Sequence, residues 1–193
     1  GRNQLYKKSA EIKEQFVGKK VYYRGLIEFS NICKKDCYYC GIRKSNHKVH
    51  RYCQNEAEVI DQAIFAAKNG LGSLVIQSGE LQSPSFINEI EQLLLKIHSQ
   101  TNHCLHITLS CGEQDEETYR RWREAGAHRY LLRIETSNPA LYNIIHPETY
   151  IHSFSGRMAA LKRLRSTGYQ VGTGVMIGLP GQTIQDLAND LLF

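Results

Sequence analysis

From Val21 onward, short apolar runs rich in Val, Ile, Leu and Tyr alternate with longer stretches of helical period. The runs predict strands at Val21–Phe29, Ser73–Gln77, Leu105–Ser110, Arg129–Glu135 and Gln170–Gly178. The intervening stretches predict helices at Ala57–Lys68, Ser85–Ser99, Glu116–Glu124, Ser155–Ser166 and Thr183–Leu192, and a polar helix over Lys8–Phe16 precedes the series. Gly70, Gly72, Gly126 and Gly168 stand where helices should stop. Repeated βα units demand parallel strands joined by crossover helices, which defines an α/β fold. A doubly wound open sheet and a TIM barrel both satisfy the pattern, and inward-facing polar residues on several strands favour the barrel.

A closed barrel takes about eight strands, and this chain supplies five, which would leave an unpaired edge beside Gln170–Gly178. It begins at Gly1 instead of methionine and stops within the helix that runs to Leu192. The expectation is a partial TIM-type (β/α) barrel of parallel strands, truncated after about five βα units and belonging to a longer enzyme. It forms one domain over 1–193, with an N-terminal helix over 1–18 and the barrel portion over 19–193. No Pro/Gly/Ser linker, internal repeat or low-complexity segment marks a second domain.

Of 193 residues, 41% are apolar and 22% charged, an ordinary globular balance that leaves no case for disorder. No run of about eighteen apolar residues predicts a membrane span, and no basic-then-apolar leader is present. A cytoplasmic location follows as the expectation, and there thiols stay reduced. Six clustered or scattered cysteines therefore point to metal rather than disulfides. The net charge of +5 favours anionic ligands weakly, because Lys7/Lys8, Lys19/Lys20, Lys34/Lys35 and the Arg157–Arg165 stretch read as solvated faces and loops.

Directly after the first strand stands Asn31-Ile32-Cys33-Lys34-Lys35-Asp36-Cys37-Tyr38-Tyr39-Cys40-Gly41, with cysteines at spacing C-x3-C-x2-C. Three thiolates so close in sequence converge on one centre. A four-iron cluster usually takes four cysteines, so Cys33, Cys37 and Cys40 leave one iron open to a small molecule, as catalytic metals do. The competing reading is a zinc site completed by Cys53, His47 or His50 in a zinc-stabilised nucleic-acid-binding domain. That class calls for a basic patch interleaved with exposed aromatics, whereas Tyr22, Tyr23, Tyr130 and Phe154 fall in predicted strands or helices. Cys104 and Cys111, near the third strand, read as small core residues.

Working residues of βα barrels collect at the carboxyl ends of strands. Here those ends read Gln77-Ser78-Gly79-Glu80, Thr108-Leu109-Ser110-Cys111-Gly112-Glu113, Arg133-Ile134-Glu135-Thr136 and Met176-Ile177-Gly178-Leu179-Pro180-Gly181-Gln182-Thr183. Two-residue alternation sets Leu131, Arg133 and Glu135 on one face of strand four and Tyr130, Leu132 and Ile134 on the other. Charges in a lumen must pair or bind ligand, and an Arg133–Glu135 pair is one way to satisfy them. Thr108 and Ser110 share a face of strand three, so the lumen is expected to be a polar pocket. Gly172 and Gly174 mark either close approach of a ligand or tight barrel packing.

The C-x3-C-x-(aromatic)-C loop, with Tyr39 at the aromatic position, resembles that of the radical S-adenosylmethionine (SAM) superfamily. The resemblance implies a [4Fe-4S] cluster whose open iron chelates SAM, which is cleaved to methionine and a 5′-deoxyadenosyl radical. It implies that Ser78, Gly79 and Glu80 meet the methionine amino group, that Ser110, Glu135 and Arg157 contact methionine or ribose, and that Met176 contacts adenine. Arg24–Asn31, Gln77–Glu80, Arg129–Thr136 and Gly178–Thr183 resemble more narrowly the [FeFe]-hydrogenase maturases of that superfamily, with biotin synthase and methylornithine synthase as relatives. From this follow a small-molecule or organometallic substrate, partner maturases and an electron donor, with neither nucleic acid nor membrane. Thr108 and Arg133 are the substrate-side candidates, and no acid or base is assigned.

Overall fold

The computed structural model describes all 193 residues. Five parallel strands, β1 (Gly25–Ser30), β2 (Ser73–Ser78), β3 (His106–Ser110), β4 (Ala127–Leu131) and β5 (Gln170–Gly172), pair in the order β1-β2-β3-β4-β5. A doubly wound sheet reverses its strand order part-way; this one does not. With right-handed crossovers, unbroken order puts every connecting helix on the same side of the sheet, which is barrel-like geometry.

The helices are α1 (Arg2–Val17), α2 (Glu56–Lys68), α3 (Pro84–Gln100), α4 (Glu116–Glu124), α5 (Pro139–Ile144), α6 (Phe154–Ser166) and α7 (Ile184–Leu192), with a 3-10 turn at Tyr150–His152. Their starts are fixed by side-chain caps: Asn55 on α2, Ser83 on α3, Asp115 on α4, Asn138 on α5, Ser153 on α6 and Thr183 on α7 each accept from an otherwise orphaned N–H. The core lies between sheet and helices, where Ile27, Phe29, Leu74, Ile76, Ile107 and Leu109 alternate outward from their strands onto Val59, Ile90, Leu94, Trp122 and Leu164. An extra residue at β4, where Ile107 pairs with Ala127 but Thr108 with Arg129, lets both Ala127 and Tyr130 face that core. The other face of the sheet is the inner, concave one. It carries Leu26, Glu28 and Gln77, all exposed.

Three expectations change. Val21–Arg24 lacks a neighbouring strand and is not one, so β1 starts at Gly25. The predicted fourth and fifth strands separate after Leu131 and Gly172 and meet again at a single bridge between Glu135 and Val175. A Cβ at Gly172 or Gly174 would meet nothing nearer than 3.4 Å, so neither glycine is required by tight packing.

Candidate functional site

Side chain to backbone bonds, not regular structure, shape the cysteine loop. Asn31 donates from Nδ2 to the His50 carbonyl at 2.7 Å and accepts at Oδ1 from the Tyr52 N–H at 2.8 Å. Arg51 donates to the carbonyls of Asn31, Ile42, Arg43 and Asn46 over 2.7 to 3.2 Å. One planar guanidinium thus ties both limbs of the 31–51 arc together.

The end of β2 presses on this arc. The Gly79 N–H donates to the Ser30 carbonyl at 3.0 Å, and a Cβ on Gly79 would lie 2.2 Å from the Ile32 oxygen and 2.8 Å from the Cys33 Cβ. Only glycine permits that approach. Next along, the Glu80 N–H donates to Cys33 Sγ at 3.3 Å and the Glu80 carbonyl accepts from Lys34 N–H at 2.9 Å. From the other side, Asp36 N–H donates to His152 Nε2 at 2.8 Å and Tyr38 N–H to the Ile145 carbonyl at 3.0 Å. His146, stacked on Tyr142 with ring centroids 4.0 Å apart, meets Tyr39 edge-on.

A cavity of about 280 Å³ opens at the carboxyl ends of the strands. Cys33, Lys35, Cys37, Tyr39 and Cys40 line one wall; Ser78, Gly79, Glu80 and Ser110 line the next; Arg133, Glu135 and Arg157 are among the rest of the lining. Thr108 and Met176 are the sequence candidates outside this lining. Thr108 is buried on the inner face of β3 below Ser110, its hydroxyl without a partner. Met176 is joined to the site through its backbone, its N–H donating to the Glu135 carbonyl at 2.7 Å and its carbonyl accepting from Gln182 Nε2 at 2.9 Å.

All six cysteines are free thiols. Burial pushes the Cys33 thiol up and the Cys37 thiol to about 11, so metal binding here must release protons. Glu135 takes the left-handed conformation at φ 68°, rare for a residue with a Cβ, and burial raises its carboxyl although Arg157 opposes the shift. Arg133 stays exposed, so its charge keeps its water and needs no lumenal partner. The thiols do not converge on a single-ion point, nor does any other group of three His, Cys, Asp or Glu. Cysteines on separate corners of a cuboidal cluster each bind a different iron and need no such point. The donor set fits the cluster, and a buried carboxylate and guanidinium opposite it fit the ammonium and carboxylate of an amino acid.

Several residues stand differently from their sequence reading. Lys35 is 4% exposed, not solvated, and Arg157 is buried while Arg165 on the same helix is exposed. Cys111 is in the core, but Cys104 is exposed ahead of β3. Cys53, His47 and His50 are exposed and outside the cavity. Glu113, which pairs with Lys35 and Arg157, was visible only as the last residue of an unusual strand end. Arg51, His146 and His152 had no local signal at all, and Asn31 drew notice only as the residue that opens the cysteine loop.

A one-sided parallel βα sheet with three free thiols over its carboxyl edge defines the class of barrel proteins that carry a cysteine-ligated cofactor in the barrel mouth. The chain belongs to the radical SAM superfamily, whose family model matches residues 27–193. Within it, the chain is 44% identical over 191 residues to the [FeFe] hydrogenase maturase subunit HydE of Thermotoga maritima, covering 98% of this chain and 52% of that protein. It is 26% identical to 3-methylornithine synthase of Methanosarcina acetivorans, over 97% of this chain and 52% of the relative. The crystal structure of methylornithine synthase (PylB) superposes with a TM-score of 0.87 at 26% identity, over 98% of this chain and 54% of that one. The chain therefore spans about half the length of the curated relatives it matches. Membership brings a [4Fe-4S] cluster and SAM as cofactors. No helix is long and apolar enough to cross a membrane.

Proposed function

We propose that this chain forms the cofactor-binding part of an enzyme that reductively cleaves SAM at a site-open [4Fe-4S] cluster, in maturation of the [FeFe]-hydrogenase active-site cluster. The observation that carries the reading is the meeting of Cys33, Cys37 and Cys40 with Glu135 and Arg157 on one cavity. Cys33, Cys37 and Cys40 would hold the cluster and leave one iron free for the SAM amino and carboxylate groups. When bound, the cofactors supply a 5′-deoxyadenosyl radical, by one-electron cleavage of the sulfonium carbon–sulfur bond with methionine as the other product.

The chain's own groups bind and orient. Backbone at Ser78, Gly79 and Glu80 faces the methionine ammonium; Ser110, Glu135 and Arg157 take the methionine and ribose polar atoms; Tyr39 and Met176 border the nucleoside side. Arg157 can hold a carboxylate without reorganising, because Glu113 and the Arg133 carbonyl already fix its guanidinium. Thr108 and Arg133 look onto the inner face, where an unpartnered hydroxyl and an exposed guanidinium suit an anionic organometallic or other small-molecule substrate. Partner maturases, an electron donor and a cytoplasmic setting complete the reading. Identity of 44% to HydE favours it over the methylornithine synthase reaction, whose enzyme is 26% identical.

The loaded, reduced full-length protein given SAM without oxygen should release 5′-deoxyadenosine and methionine. Cys37→Ala should abolish both products and Cys53→Ala neither. Equal loss in the two variants would return the loop to the zinc reading.

A further inference from the structure

Four buried charges, those of Lys35, Glu80, Glu113 and Arg157, run in a chain from the cysteine loop to α6. Lys35 leaves the loop between Cys33 and Cys37; its Nζ lies 3.1 Å from Glu113 Oε2 and 3.4 Å from Glu80 Oε1, and donates to the Ile151 carbonyl. The other oxygen of Glu113, Oε1, accepts from Arg157 Nε at 2.5 Å, and the Glu113 N–H donates to Glu80 Oε2 at 2.9 Å. Two cations, Lys35 and Arg157, face two carboxylates, and the less buried Lys34 Nζ lies 4.0 Å from Glu80 Oε1 at the edge of the set. None of the side chains of Lys35, Glu80, Glu113 and Arg157 is more than 15% exposed. Glu113 alone touches both cations: one oxygen faces the loop's ammonium and the other the guanidinium of α6.

We propose that Glu113 is a positioning residue that couples the seating of the cysteine loop to the placement of Arg157, so that the cluster ligands and the amino-acid end of SAM are set by one carboxylate. The inference rests on the cavity being the SAM site proposed above. A carboxylate is rigid, so displacement of Lys35 on one oxygen is passed to Arg157 on the other. Replacing its charge leaves two dehydrated cations facing each other across a neutral group, and breaking one member of such a set is strongly unfavourable. The ammonium keeps Glu80 and the Ile151 carbonyl as partners but loses the one carboxylate that ties its position to Arg157, so the loop is seated less firmly.

Two measurements on the full-length protein test this. The amides of Lys34, Asp36 and Tyr38 report loop seating, since each is bonded to a different neighbour of the loop; their hydrogen exchange is read without cofactors. The SAM concentration that half-converts the electron paramagnetic resonance (EPR) spectrum of the loaded, reduced protein reports Arg157. Glu113→Gln should speed exchange at these amides and raise the SAM midpoint, each by roughly tenfold, about 1.4 kcal/mol. Glu113→Asp, which keeps the charge, should recover most of both. Should Glu113→Gln not fold, Lys35→Gln should give the same paired change from the loop side. Faster exchange with an unmoved SAM midpoint, or no change in either, overturns the coupling. A wild-type spectrum that ignores SAM overturns the cavity assignment and the coupling with it, whereas a responsive wild type with unaltered variants overturns the coupling alone.

Discussion

Gly79 is the point where a single atom decides the site. A Cβ there would overlap the Ile32 oxygen, which is backbone and cannot swing aside. Gly79→Ala should therefore move the β2 end off the cysteine loop, costing about 1–3 kcal/mol in denaturant unfolding and lowering iron bound per chain; wild-type iron content would contradict the contact. Glu113 makes the second residue-scale prediction. Burial alone would raise its carboxyl, but Arg157 and Lys35 more than offset this and hold it below the ordinary 4.5. A depressed folded value means stabilisation that is complete above the unfolded pKa and lost as pH falls through the folded one. Glu113→Gln should thus be less stable than wild type at pH 7, with the gap closing below about pH 4.3 in paired thermal melts; a gap constant with pH contradicts it. Spacing drew attention to the three cysteines, strand-end position to Ser78 and Glu135, and the family resemblance to Tyr39, and the fold brings all of them to one cavity. Lys35 was not legible in sequence, because its partner Glu113 is 78 residues away and nothing local distinguishes a buried lysine from Lys34 beside it.

Elements were legible where a period is long enough to read. α4 spans Glu116–Glu124 as its pattern predicts, and α2, α3 and α6 differ from expectation by a residue or so at either end. α5, six residues long, is too short to show a helical period and declares itself only through Asn138 and Pro139 at its start. The predicted fourth and fifth strands were too long because apolar alternation continues past Leu131, while the ladder stops at Leu131 and Gly172 and resumes only at the Glu135–Val175 bridge. The α4 packing gives the element-scale prediction. Trp122 is fully buried, stacks parallel to Tyr130 and donates from Nε1 to the Ile87 carbonyl of α3 at 3.0 Å. Trp122→Ala should cost about 3–5 kcal/mol, and Arg121→Ala, one residue earlier but pairing with Glu91 at the surface, about 1 kcal/mol or less. Chemical unfolding of both variants checks the contrast, and equal losses would contradict the packing.

At the scale of the whole molecule, strand order is what converts a list of polar strand ends into a site. Consecutive parallel strands bring the ends of β1 to β4 along one curved edge, so Cys33, Ser78, Ser110 and Glu135, far apart in sequence, face one cavity. Parallel strands were readable from βα alternation, which a doubly wound sheet also fits; the inward polar residues of the strands are what favoured the barrel. The central claim is that three cysteines hold a cluster whose fourth iron binds SAM. Its most direct measurement is EPR of the anaerobically reconstituted, reduced full-length protein with and without SAM. The account predicts a [4Fe-4S] signal that SAM changes and that Cys37→Ala removes. A [4Fe-4S] signal identical with and without SAM would contradict the open iron.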